Sequence, residues 1–89
     1  MLQYHAAYYK DARSGWYTVQ VLDFPAAISQ GKTLASARRM IRDALRGMIE
    51  WYMEDGEPLP SPNPRAADKQ AERVERIRVQ VRTFVGNRS

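Results

Sequence analysis

Gly15-Trp16-Tyr17-Thr18-Val19-Gln20-Val21-Leu22-Asp23-Phe24-Pro25 leads through Ala26-Ala27-Ile28-Ser29 and Gln30-Gly31-Lys32-Thr33 into Leu34-Ala35-Ser36-Ala37, and this order decides the fold. Tyr17, Val19 and Val21 alternate with Trp16, Thr18 and Gln20, the period-two pattern of a strand with one core face, over residues 16–23. Pro25 cannot donate to a ladder, so it ends that strand and turns the chain into a brief third strand over residues 26–30, closed by Gly31. Thr33 offers an N-cap hydroxyl to a following helix. Ser36 stands where a capping box would place glutamate, so half of that pattern is expected.

Working outward, residues 2–10 read as a first strand, with Leu2, Tyr4, Ala6 and Tyr8 on one face and Gln3, His5, Ala7 and Tyr9 on the other. The polar run 10–15, ending in glycine, suits a hairpin connection. Beyond Thr33, Leu34, Ala37, Ile41, Ala44, Leu45, Met48 and Tyr52 recur at three- and four-residue steps, one apolar helical stripe stopped by Asp55-Gly56 and Pro58. Residues 58–65 alternate proline with other residues and read as an extended, semi-rigid spacer within the domain. Residues 66–75 read as weakly helical. Ile77, Val79 and Val81 alternate with Arg76, Arg78, Gln80 and Arg82 up to Phe84, the clearest strand pattern in the chain, and residues 86–89 read as a frayed tail. The expectation is an α+β fold, β-β-β-α-β, one domain over 1–89 with an antiparallel sheet and one long helix packed on one face.

With 89 residues the chain is near the size at which a core is only marginally sufficient, so a dimer or larger homo-oligomer is expected. The absence of cysteine excludes disulfides, thiolate nucleophiles and cysteine-based zinc sites and suits a reducing cytoplasm. The first residues lack a basic leader region, and no apolar run approaches the ~18 residues that cross a bilayer. Fourteen basic residues, eleven of them arginine, against ten acidic ones give a net charge of +4, which permits nucleic-acid binding without requiring it.

The blocks Gly15-Trp16-Tyr17-Thr18-Val19, Asp23-Phe24-Pro25-Ala26-Ala27, Gln30-Gly31-Lys32-Thr33-Leu34 and Asp55-Gly56-Glu57-Pro58-Leu59-Pro60, in that order, resemble the HicB-type antitoxin domain. The family pattern has glycine where this chain has Ala26 and glutamate where it has Ser36. The resemblance implies a partial RNase H-like fold and a protein of a toxin-antitoxin pair that binds and inhibits a HicA-type messenger-RNA-cleaving toxin without catalysing anything. Members that repress their own operon usually carry a DNA-binding module after the late strand; none is expected here, because the sequence stops a few residues beyond Val85. An inhibitor of a basic ribonuclease is expected to offer acidic surface. In a net basic chain local groups would have to do this, and Asp23, Phe24, Asp43 and Glu50 are the candidate contacts.

RNase H-like catalysis needs several carboxylates converging on paired metals, and the strands offer Asp23 alone, so neither catalytic residues nor a metal or other cofactor is expected. His5, the sole histidine, reads as an exposed strand residue. Asp23 also suits a structural part, capping amides of a tight corner while Phe24 fills the edge of the core. Arg38, Arg42 and Arg46 stand in one four-residue row of the helix; they read as a solvated face or, alternatively, as a nucleic-acid contact together with Arg78 and Arg82. If Ile77 and Val79 face the helix, Arg76, Arg78 and Arg82 share the open side of the sheet with Trp16, Thr18 and Gln20, beside His5 or Tyr9. The alternatives to an antitoxin are a stand-alone nucleic-acid binder and an orphan self-associating scaffold.

Overall fold

Residues 2–80 are described by the computed structural model; the end of the expected late strand, Arg82 and the tail lie outside them. The elements are β1 (Leu2–Lys10), β2 (Tyr17–Val21), β3 (Ile28–Gly31), α1 (Leu34–Asp55) and β4 (Arg73–Val79). They form one sheet of order β3-β2-β1-β4, each neighbouring pair antiparallel, matching the expected β-β-β-α-β architecture. β4 pairs with β1 of its own chain, Leu2 opposite Val79 and Tyr8 opposite Arg73.

Directly opposed residues of an antiparallel pair share a face. Tyr4 with Ile77, Ala6 with Val21 and Tyr8 with Val19 therefore form the face that α1 covers, where Ala37, Ile41, Leu45 and Ile49 of the helix are buried against them. Ile49 completes the expected stripe, while Leu34, Ala44, Met48 and Tyr52 pack at its margin. Burial of each large side chain there contributes about 1.5–3 kcal/mol before chain entropy is subtracted.

Both ends of α1 are closed. Thr33 Oγ1 accepts from the Ser36 N–H at 3.0 Å, and Ser36 Oγ accepts from the Thr33 N–H at 3.1 Å, so serine completes the reciprocal box that glutamate usually makes. At the other end Gly56 takes a left-handed conformation, with Glu57 N–H donating to Tyr52 O at 2.8 Å. Gly31 is required by closeness: a Cβ there would lie 2.5 Å from Ser36 Oγ and 2.6 Å from Ala37 N.

Four readings of the sequence differ from the structure. β2 spans Tyr17–Val21 rather than 16–23, because Leu22 and Asp23 already belong to the corner turn. β3 starts at Ile28 because the corner closes on itself, with Phe24 N–H to Val21 O, Ala27 N–H to Phe24 O and Val21 N–H to Ala27 O. Residues 66–72 form no helix. Asn63 Oδ1 accepts from Arg65 N–H and Asp68 Oδ1 from Gln70 N–H, turns in which a side chain takes amides that a helix would need. The strand then begins at Arg73, earlier than the alternation of Ile77 and Val79 suggested.

The second face of β1 is also covered, which the alternation did not foresee. Asn63 and Asp68 of the spacer region bond to Asp23 and Tyr9, and Ala7 is fully buried. His5, expected at the surface, is 9% exposed. The chain leaves α1, passes Tyr4, whose hydroxyl donates to Pro60 O at 2.6 Å, crosses behind β1 and enters β4 where Glu72 N–H meets Tyr8 O at 2.8 Å.

Candidate partner-binding site

Asp23 sits in the corner after β2 with its side chain almost fully enclosed. Oδ1 accepts from the His5 N–H at 2.8 Å, and Oδ2 lies 2.8 Å from both His5 Nδ1 and the Asn63 N–H. Burial pushes this carboxyl up, but the Asn63 amide, the His5 ring and the His5 amide outweigh it and hold it below the ordinary value. An ionised carboxylate only accepts, so Nδ1 carries the proton of that contact. Phe24 is wholly buried, its ring edge-on to Tyr4 at 5.5 Å and to Tyr52 at 5.0 Å. The structure thus places Asp23 and Phe24 inside the molecule, where they join the corner, β1 and the spacer, and their side chains present nothing to a partner.

The arginine row divides. Arg38 Nε and Nη2 donate to Glu75 Oε1 and Oε2 at 3.0 and 2.6 Å, and Arg73 Nη1 reaches Oε2 at 3.0 Å. The Arg38 bonds, opposed by burial and reinforced by Arg73, bring the Glu75 carboxyl down to about 2. Tyr8 lies against the same pair; burial first, then the Glu75 charge, pushes its phenol up to about 12. Arg38 therefore clamps the start of α1 to β4. Its neighbours Arg42 and Arg46 are exposed, and Arg46 makes only a loose 3.9 Å contact with Asp43.

Arg42 joins Gln3, Arg76 and Arg78 around an open polar depression of about 420 Å³ beside β4. Gln3 stands opposite Arg78 and His5 opposite Arg76 across the β1–β4 pair. Arg76 and Arg78 are thus on the face away from α1, as expected, while His5 and Tyr9 are withdrawn beneath the spacer. Burial first, and the 2.6 Å bond to Asp68, push the Tyr9 phenol up to about 12. Gln3 was not singled out by its sequence context; its parity with Arg78 would have identified it once the β1–β4 register was known. Asp43 and Glu50 lie exposed on α1, remote from Asp23, so the four proposed partner contacts form no single cluster. Among the described residues no three histidine, aspartate or glutamate side chains converge as metal ligands would, and no helix is long and apolar enough to cross a membrane.

Comparison with known proteins agrees with this architecture. Residues 3–75 match the family described as HicB-like antitoxin of bacterial toxin-antitoxin systems. The chain is 42% identical over 53 residues to Antitoxin HicB of Escherichia coli (strain K12), a match covering 60% of this chain and 38% of that protein. It is 43% identical over 54 residues to Antitoxin HicB 1 of Photorhabdus laumondii, covering 61% of this chain and 35% of the relative. The matched segment thus spans well under half the length of either. The crystal structure of the N-terminal domain of Burkholderia pseudomallei antitoxin HicB superposes with a TM-score of 0.75 at 25% identity, covering 90% of this chain and all of that one.

Two outcomes follow from the buried Asp23 and the half-buried Glu75. Asp23→Ala strands two backbone amides and an imidazole N–H, so chemical denaturation should register a loss of about 3 kcal/mol, with Asp23→Asn losing less because an amide oxygen remains. The folded-state value of Glu75 lies below its ordinary 4.5, so its contribution is complete above that pH and is lost as pH falls toward about 2. Urea midpoints measured from pH 6 to pH 2 should decline, and Glu75→Gln should flatten the decline.

Proposed function

The chain belongs to the HicB-like antitoxin family, and we propose that it binds a HicA-type messenger-RNA-cleaving toxin and inhibits it by contact, with no catalysis of its own. The observation that carries this reading is the family match over residues 3–75, which runs from β1 through the Asp23 corner and α1 into β4. The N-terminal-domain superposition supports it, since the same sheet and helix recur there. Blocking a ribonuclease requires a stable surface rather than an active site, and a sheet held by a capped helix and a tied spacer supplies one. Asp43 and Glu50 remain the proposed acidic contacts among the residues first considered, because their carboxylates are at the surface.

A second reading draws on the polar depression. Three guanidinium groups around Gln3 suit the phosphates of a nucleic acid, whose neutralisation releases counterions and makes affinity steeply salt-dependent. In that reading Arg42, Arg76 and Arg78 make the contacts, exposed Arg46 follows one turn along α1, Arg38 is committed to Glu75, and Arg82 lies outside the described residues.

Co-expression separates the two. The toxin encoded by the neighbouring reading frame should arrest growth alone, and this chain should restore growth and co-purify with it. Rescue should survive replacement of Arg42, Arg76 and Arg78 by glutamate. Failure of the chain to rescue, together with gel-shift affinity for RNA or DNA that falls with salt and loses about one unit of log-log slope per arginine removed, would decide for the nucleic-acid reading.

A further inference from the structure

α1 carries a second apolar stripe, of which the core takes up only Ala44 at its margin. Met40, Ala44, Gly47 and Trp51 follow one another at four- and three-residue steps, about a quarter turn around the helix from Ile41 and Leu45. Met40 and Trp51 are 47% and 57% exposed, unusual for such large apolar groups. Gly47 leaves open space between them, since a Cβ there would meet nothing within 4 Å. The Trp51 ring stands edge-on to Tyr52 at 5.9 Å, Tyr52 to Phe24 at 5.0 Å and Phe24 to Tyr4 at 5.5 Å. An aromatic ladder therefore runs from the core to the surface and holds the exposed indole in place. A preordered aromatic loses little entropy on docking, which is the character of an interface anchor.

The edge of this stripe is acidic. Asp43, Glu50 and Glu54 form an exposed row beside it, at seven- and four-residue steps, in a chain that is net basic; Arg39 and Arg46 border that row on the side away from the stripe, Arg46 reaching Asp43 at 3.9 Å, so the stripe itself faces the carboxylates. From these observations we infer that the Met40–Gly47–Trp51 shoulder is a docking surface for a basic protein, with Trp51 entering an apolar groove and the row of carboxylates facing cations around it. The inference rests on the antitoxin reading and deepens it, because a ribonuclease must present positive charge to RNA phosphates and so offers the complementary surface. A second copy of this chain fits less well: antiparallel two-fold packing of α1 on itself brings each flank against the same flank, carboxylates against carboxylates. Nucleic acid is repelled by the same row.

The test uses the full chain and the purified toxin of the neighbouring reading frame in calorimetric and stopped-flow titrations, with circular dichroism confirming fold. Trp51→Glu should weaken binding at least about 30-fold, as for an anchor residue. Gly47→Arg, placed where space is open, should do likewise by obstruction. Asp43→Lys/Glu50→Lys/Glu54→Lys should slow association about tenfold or more at low salt and flatten its salt dependence. Met53→Glu, at an exposed apolar residue off the stripe, should change affinity less than twofold. Unchanged affinity in folded Trp51→Glu and Gly47→Arg overturns the inference while leaving the antitoxin reading intact. So does conversion of a dimer to monomer by Trp51→Glu with toxin affinity unchanged, which would assign the shoulder to self-association. Absence of binding by the unaltered chain overturns the antitoxin reading, and the inference with it.

Discussion

The fold depends on a buried carboxylate with three donors. Asp23 joins the corner after β2, the backbone and ring of His5 on β1, and the Asn63 amide of the spacer, segments separated by 18 and 40 residues in sequence. The two His5 donors are buried and the Asn63 bond is partly so, and in such places an amide without a partner is costly and one bonded to a charge is held firmly. The spacer has no regular hydrogen bonding of its own, and its prolines forbid a helix. Its route behind β1 is set instead by single bonds at Pro60, Asn63 and Asp68. That route buries His5 and Ala7 and delivers the chain to the start of β4.

Much of this architecture was legible from periodicity. The alternation of Tyr17, Val19 and Val21, the three- and four-residue steps after Thr33 and the Asp55-Gly56 stop each report burial or backbone geometry that a sequence carries locally. What escaped was non-local. His5 reads as a surface residue because nothing near it in sequence announces that a segment nearly sixty residues later will cover it. Residues 66–75 have helical composition, yet Asn63 and Asp68 spend their side chains on nearby amides and the following residues find a strand partner in β1. Propensity is a weak prior against such pairing.

The candidate surfaces show the same division. Spacing along α1 places Arg38, Arg42 and Arg46 in one row but cannot separate the member that is already engaged. Glu75 does that, and its position opposite Ala6 is a property of the β1–β4 register. Likewise Asp23 and Phe24 belong to one of the family blocks and proved to be interior, whereas Trp51 lay outside every motif. Motif residues in a small domain are often those that fix its shape, since a corner tolerates fewer substitutes than an exposed helix face.

Net charge is therefore a poor guide to what this chain contacts. Two exposed groups carry opposite sign: Arg42, Arg76 and Arg78 gather beside β4, while Asp43, Glu50 and Glu54 line another face of α1. With a screening length of about ten Å at ordinary ionic strength, an approaching molecule meets local charge rather than the net charge, so a basic average conceals an acidic shoulder. The aromatic ladder ties that shoulder to the core through Phe24, and Phe24 follows Asp23 directly in the chain. Fixing the corner and presenting the indole are consequently linked, because the ring contacts that run through Tyr52 to Trp51 begin at the residue next to the buried carboxylate.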